Sequence, residues 1–144
     1  MKSKNTKYIF WLGLFLALLV TGITFAVNLA GAWYGGPANL GQLTMTIIYI
    51  AFWCVFTGLS IKYVQLRKIV FAISLLTLVS AAISFLCVAI NQGFVIEALI
   101  SMFVSVPFYG VRNFTSWEGL YGGAFVVSLI WFVFAIWQLR KNKH

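Results

Sequence analysis

The chain has 144 residues, of which 62% are hydrophobic and only 8% are charged, and its mean hydropathy is +1.00. Soluble domains are about one quarter charged and close to half apolar, so this composition excludes a water-soluble fold and a disordered chain. The net charge of +8 comes from ten Lys and Arg residues, which lie mostly at the ends of apolar runs. This distribution is typical of membrane orientation and not of nucleic-acid binding. It predicts a small integral membrane protein without a nucleic-acid partner.

Four stretches are apolar over the roughly 20 residues that a membrane-spanning helix requires. They cover about residues 8–30, 43–61, 69–90 and 120–139. Because backbone polar groups in lipid need partners within the same segment, these continuous runs favour helices over the alternating strands of a barrel. The sequence therefore predicts an all-α membrane protein, with residues 1–144 forming a single four-helix transmembrane domain.

A fifth apolar stretch, residues 94–111, decides the predicted topology. If this stretch does not cross the membrane, nine of the ten basic residues lie on the cytoplasmic side; if it does, only seven do. The positive-inside rule favours the first arrangement. We therefore expect both termini in the cytoplasm of a multi-pass protein.

The same stretch has polar residues at a helical spacing. Glu97, Ser101 and Ser105 recur every four residues and lie on one helix face. Pro107 disfavours helical backbone at the preceding residue and ends the pattern. We expect a short interfacial or re-entrant helix over about residues 94–106, in the second outer loop.

Few side chains in the sequence are suited to catalysis or metal binding. The only histidine is the last residue, His144, and the four predicted spans contain no acidic or basic side chain. Intramembrane proton transfer needs such groups, and haem needs axial His or Met ligands. Cys54 and Cys87 differ in predicted depth by roughly 10 Å, too far for a disulfide, and are interpreted as small buried residues. We expect a protein that is not an enzyme, with no catalytic site, metal or cofactor.

Two tryptophans, Trp53 and Trp131, fall near the middle of their predicted spans. An indole N–H in lipid requires a hydrogen-bond acceptor. The two side chains therefore either line an intramembrane pocket or pack against a Ser or Thr hydroxyl. Asn28, near the outer end of the first span, either bonds a neighbouring helix or faces an outer ligand- or partner-binding site.

The rest of that candidate outer site is in the second outer loop and the start of the last span. It comprises Glu97, Arg112, Trp117, Glu118 and Tyr121. Either Arg112 pairs with a glutamate and holds the loop, or the residues form a shallow cleft for a headgroup, a peptide or a partner loop. Acid–base catalysis by the two glutamates and the arginine is a further, less favoured interpretation, because no spacing in the sequence requires it.

Small residues recur at four-residue steps along the first predicted span in two series: Gly22, Ala26 and Ala30, and Gly13, Ala17 and Thr21. Small side chains allow helices to approach closely in membranes. One interpretation places both series inside this bundle. The other makes Gly22, Ala26 and Ala30 a helix-packing face for a membrane-protein partner or a second copy of the chain.

The sequence is compatible with two principal functions. The first is a non-enzymatic accessory or partner-binding subunit of a transporter, sensor or immunity system in a bacterial cytoplasmic membrane. The alternative is a carrier or binder of a lipophilic or lipid-linked molecule, in an uncharged cavity between the helices. Membrane lipid is an expected partner in both.

Overall fold

The structure is a computed structural model and describes residues 2–34, 37–89 and 106–141. These residues form four long α-helices and a short 3-10 segment, and they contain no β-strand. The elements are α1 (Lys2–Tyr34), α2 (Leu40–Lys62), α3 (Val64–Ala89), the 3-10 segment (Tyr109–Phe114) and α4 (Trp117–Arg140). Each α-helix contains a stretch long and apolar enough to cross a membrane. For the described residues, the predicted all-α architecture with four helices long and apolar enough to cross a membrane is confirmed.

Side-chain caps determine where two of the helices begin. The Asn39 side chain accepts a hydrogen bond from the backbone N–H of Gln42, and the Gln42 side chain accepts one from that of Asn39, both at 2.9 Å. The Ser116 hydroxyl accepts a hydrogen bond from the Gly119 N–H at 3.2 Å and caps α4. These contacts satisfy N–H groups that the first helical turn leaves without partners.

The connection between α2 and α3 is a single residue, Tyr63, which has extended backbone angles. Helix α3 begins at Val64 and not near residue 69, where the apolar stretch begins. The basic residues Arg67 and Lys68 therefore belong to the first turns of α3 and not to a loop.

Successive helices run in opposite directions. The C-terminal part of α1 contacts the N-terminal part of α2, and the C-terminal parts of α2 and α4 lie together. We call the end with the α2–α3 connection the basic end, because it contains Lys7, Lys62, Arg67, Lys68, Arg140 and Lys141. We call the opposite end, with the α1–α2 connection and the 3-10 segment, the loop end.

Helix α3 is central and contacts the other three helices. Its closest partner is α4, which it meets along its length through ring contacts such as Phe71–Phe132 and Phe85–Phe125, with centroids 5.5 and 6.0 Å apart. Helix α1 packs on α2 and α3. Helices α2 and α4 face each other with little direct contact, and this gap forms the candidate site.

The predicted interfacial helix over residues 94–106 lies outside the described residues except for Val106. Residues 106–108 are helical, so the helical backbone continues through Pro107 instead of ending before it. The Thr46 hydroxyl of α2 donates a hydrogen bond to the Pro107 carbonyl at 3.0 Å, which holds this turn against the bundle.

Candidate binding groove

A groove of about 870 Å³ separates α2 from α4. Its volume lies in the range of small-molecule sites, which is roughly 300 to 1,000 Å³. No Asp, Glu, Lys or Arg among the described residues lines it, and exposed residues such as Cys54, Val127 and Ile130 border it. The groove is therefore an uncharged slot that opens sideways, toward the region that lipid occupies around a membrane-spanning bundle.

The groove is long compared with the membrane. It extends along α4 from Gly119 to Phe134, which corresponds to about 22 Å at 1.5 Å per residue. The hydrocarbon core of a bilayer is about 30 Å thick. The slot is therefore long enough to cross most of a membrane interior.

The loop end of the groove is covered by residues 106–115, which we call the roof segment. Phe108, Val111 and Thr115 of the roof segment line the groove, and the Phe108 ring meets the edge of Tyr49 with centroids 5.9 Å apart. The Tyr109 side chain is buried. Burial raises the pKa of its phenol above 10, and the nearby Arg112 cation partly opposes this rise.

Thr46 is the residue that anchors the roof segment to α2. Its hydroxyl donates to the Pro107 carbonyl and accepts from the Gly110 N–H, both at 3.0 Å. Asn28 of α1 donates to the same oxygen at 3.2 Å. A Cβ added at Gly110 would lie 2.5 Å from the Gln42 carbonyl oxygen, so only glycine allows this approach to the α2 backbone. Asn28 is fully buried and is not part of an exposed outer face.

A hydrogen-bonded cluster closes the basic end of the groove. The Arg67 side chain of α3 is 6% exposed and donates to the carbonyl oxygens of Ser60, Ile61 and Gln138 at 2.8–2.9 Å. The Ser60 hydroxyl also lies 2.6 Å from the Gln138 side-chain oxygen. The carbonyls at a helix C-terminus have partial negative charge, which a guanidinium group stabilises. Arg67 therefore ties the C-terminal ends of α2 and α4 together.

The two tryptophans predicted as pocket candidates meet inside the groove. The Trp53 and Trp131 rings have centroids 5.3 Å apart, and both residues line the slot. The Trp131 indole N–H donates to the Thr57 hydroxyl at 2.9 Å. The Trp53 indole N–H has no acceptor in hydrogen-bonding geometry among the described residues, although the Tyr49 hydroxyl lies beside it. The structure thus brings together two residues that are 78 positions apart in the sequence.

The candidate outer-face residues are not gathered into one described site. Arg112 is half-buried and donates to the Thr115 carbonyl at 2.9 Å, within the roof segment. Tyr121 is buried and packs with Ala81 and Ala124 between α3 and α4. Glu97 and the side chains of Trp117 and Glu118 lie outside the part of the chain that the structure describes.

The two small-residue series of α1 have different environments. Gly13 and Ala17 face the bundle: a Cβ added at Gly13 would lie 2.5 Å from the Leu66 side chain, and Ala17 is buried. Gly22, Ala26 and Ala30 are exposed, and a Cβ added at Gly22 would meet no atom within 4 Å. Among the described residues, the series of Gly13 and Ala17 packs inside the bundle, and the series of Gly22, Ala26 and Ala30 does not.

Several groove residues were not identified from the sequence. A Cβ added at Gly58 of α2 or Gly123 of α4 would meet no atom within 4 Å, so both glycines leave the groove open. A glycine within a predicted apolar span was the signal in the sequence that could have identified them. Arg67 and Gln138 were missed because they adjoin basic segments, where polar residues are expected in any case.

Both cysteines are free, but the interpretation of Cys54 as a buried residue is wrong. Its side chain is exposed at the border of the groove, because none of the described helices covers that face of α2. Cys87 is half-buried.

The described residues contain no group of three or more His, Cys, Asp or Glu side chains suited to holding a metal ion. Comparison of the chain with protein families, with curated proteins and with solved structures gave no match.

Proposed function

We propose that this protein binds a lipophilic molecule in the groove between α2 and α4, as a carrier or binder without catalytic activity. We place it in a bacterial cytoplasmic membrane with both termini in the cytoplasm, so that the loop end is the outer end. The observation that supports the proposal most strongly is a long, uncharged slot that opens toward lipid and is closed at both ends.

The hydrogen bonds at the two ends of the groove favour a binding site for a molecule over a gap left by imperfect helix packing. The basic end is fixed by Arg67, and the loop end is fixed by Thr46 through the roof segment. Between them the helices cannot collapse onto one another without breaking buried hydrogen bonds, each worth about 1 kcal/mol or more. A lipophilic molecule that enters from the side would contact the apolar walls that the protein itself leaves uncovered.

The test uses the open space at Gly123. A leucine there would fill the groove without meeting protein atoms within 4 Å of its Cβ. We expect Gly123→Leu to lower the amount of lipophilic molecule that co-purifies in mild detergent by at least about ten-fold. The measurement is mass spectrometry of the molecules extracted from equal amounts of purified protein.

Gly22→Leu is the matched control, because Gly22 is also an exposed helical glycine with no atom within 4 Å of an added Cβ, but it lies outside the groove. Both variants should unfold at the temperature of the wild type within a few degrees. Full occupancy in Gly123→Leu, or an equal loss in Gly22→Leu, would contradict the proposal.

The exposed face formed by Gly22, Ala26 and Ala30 supports a second candidate function, that of an accessory subunit bound to a membrane protein or to a second copy. Small residues let two helices approach closely, and α1 leaves these three uncovered. Ala26→Leu should then abolish co-purification of a stoichiometric partner or the homo-oligomer in native mass spectrometry. Gly123→Leu should leave that association unchanged, and association that survives Ala26→Leu would exclude this interface.

A further inference from the structure

We infer that the groove takes an uncharged lipophile that has a carbonyl-type oxygen within the membrane interior, and that the Ser128 hydroxyl donates a hydrogen bond to that oxygen. This inference rests on the proposed function, because it specifies the chemical class of the molecule bound in the same groove. Isoprenoid-type quinones, with a flat dicarbonyl ring and a hydrocarbon tail, belong to this class.

Ser128 of α4 is the polar residue that leads to this inference. It is 2% exposed and lines the groove. No hydrogen bond joins its hydroxyl to any of the described residues, although a hydroxyl in an apolar environment is costly without a partner. An acceptor on a bound molecule would satisfy it.

Five other buried hydroxyls in the helices behave differently from that of Ser128. Each donates to the carbonyl three or four residues earlier in the same helix, at 2.8–3.0 Å; they belong to Thr24, Ser74, Thr77, Ser80 and Ser84. Such internal bonding is the usual way in which a helical Ser or Thr satisfies its hydroxyl in lipid. Ser128 is the buried serine of the groove wall that lacks this bond.

The depth of Ser128 restricts the kind of acceptor. It lies about 14 Å along α4 from Gly119, at 1.5 Å per residue, close to the middle of a hydrocarbon core about 30 Å thick. A phospholipid keeps its headgroup and ester oxygens near the interface, so these oxygens lie too far from Ser128. The acceptor must belong to a molecule whose oxygen-bearing group is uncharged and of low enough polarity to enter the membrane interior.

The surroundings of Ser128 select an uncharged molecule with a flat ring. No charged described side chain lines the groove, and an isolated ion in this region is costly. Trp53, Trp131 and Phe134 line the same stretch of the slot and offer aromatic surface for offset or edge-to-face contact with a ring. The Trp53 indole N–H is a further donor in this stretch; the Tyr49 hydroxyl lies beside it, but no described residue accepts from it in hydrogen-bonding geometry.

The test compares two probes with the same carbon skeleton, of which only one has carbonyl oxygens. One is 2-methyl-1,4-naphthoquinone with a phytyl side chain, and the other is 2-methylnaphthalene with the same side chain. Each is titrated into the full-length protein in phosphatidylcholine nanodiscs, and retained probe is quantified by mass spectrometry against empty nanodiscs. We expect the wild-type protein to bind the quinone about five-fold or more tightly than the naphthalene, as one added hydrogen bond implies.

Ser128→Ala should weaken quinone binding about five-fold and leave naphthalene binding unchanged. Ser128→Thr retains the hydroxyl and should keep the preference for the quinone. Ser84→Ala is the matched control, since Ser84 is a buried serine that bonds within α3 and does not line the groove; it should change neither affinity.

The outcomes separate this inference from the proposed function. If Gly123→Leu abolishes binding of both probes but Ser128→Ala changes neither, the groove is the site and the carbonyl inference is overturned. If Gly123→Leu leaves the binding of both probes at the wild-type level, the proposed function itself fails. A loss of quinone preference in Ser128→Ala but not in Ser84→Ala supports the inference.

Discussion

The two sides of α4 differ in how they meet their neighbouring helices. Toward α3, Ala124 and Phe125 pack directly on Ala81 and Phe85, with the two phenyl rings stacked 6.0 Å apart. Toward α2, the same helix faces an open slot of about 870 Å³. Helix α4 thus has a tightly packed interface on one side and an open groove on the other.

This difference shows that small residues do not by themselves close an interface. On the α3 side, buried Ala81 and Ala124 allow close approach. On the α2 side, Gly58 and Gly123 leave space, because Arg67 and the roof segment fix the distance between the helices at both ends. Small or absent side chains therefore bring helices together or keep a groove open, depending on which other contacts join the helices.

The largest expected effect comes from removing the Arg67 hydrogen bonds that link α2 and α4 at the basic end. Arg67→Met removes three hydrogen bonds and leaves the carbonyls of Ser60, Ile61 and Gln138 without that partner. We expect the free energy of unfolding to fall by about 3 kcal/mol. The measurement is equilibrium unfolding by SDS in mixed micelles.

The neighbouring residue gives the control for this change. Lys68→Met removes an exposed cation from the same turn of α3 and should change the free energy of unfolding by less than about 0.5 kcal/mol. Equal effects of the two substitutions would mean that Arg67 acts only through net charge and does not tie α2 to α4.

The next largest effect concerns the roof segment. Gly110→Ala places a Cβ 2.5 Å from the backbone of Gln42 and Leu43, so the roof segment must move away from α2. Overpacking of this kind costs about 1–3 kcal/mol. With the loop end opened, Cys54 should react faster with a water-soluble maleimide, measured by mass shift in a Cys87→Ser background.

Gly22→Ala adds the same atom where no neighbour lies within 4 Å, and it should alter neither stability nor the labelling rate of Cys54. Unchanged labelling in Gly110→Ala would show that the roof segment does not restrict access to the groove.

The smallest predicted effect concerns the wall of the groove. Trp131→Phe keeps an aromatic ring but removes the hydrogen bond to the Thr57 hydroxyl, so unfolding should become easier by about 1 kcal/mol. Trp137→Phe changes an exposed tryptophan on the same helix and serves as the control. A double-mutant cycle with Thr57→Val isolates the pair, and a coupling energy of zero would show that this bond does not stabilise the wall.

Part of the candidate site was predictable from the sequence. Trp53 and Trp131 are recognisable because large polar-tipped rings are unusual in the middle of apolar spans, and both line the groove. Arg67 was not recognisable, since its sequence context is that of an ordinary basic flank, and only the folded chain places α2 and α4 carbonyls around it. Cys54 was interpreted as buried because its neighbours in the chain are apolar, yet it borders the groove.

The presence of four long helices among the described residues and their apolar character, suited to crossing a membrane, were determined by the sequence alone. Both depend on the length of apolar runs and on the need of backbone groups in lipid for local partners, and these are properties of each segment by itself. The tertiary structure decided which faces meet, which small residues remain uncovered and where the groove lies. These features depend on contacts such as Asn28 with Thr46 and Ser60 with Gln138, the latter joining residues 78 positions apart, and no local pattern encodes such a pairing.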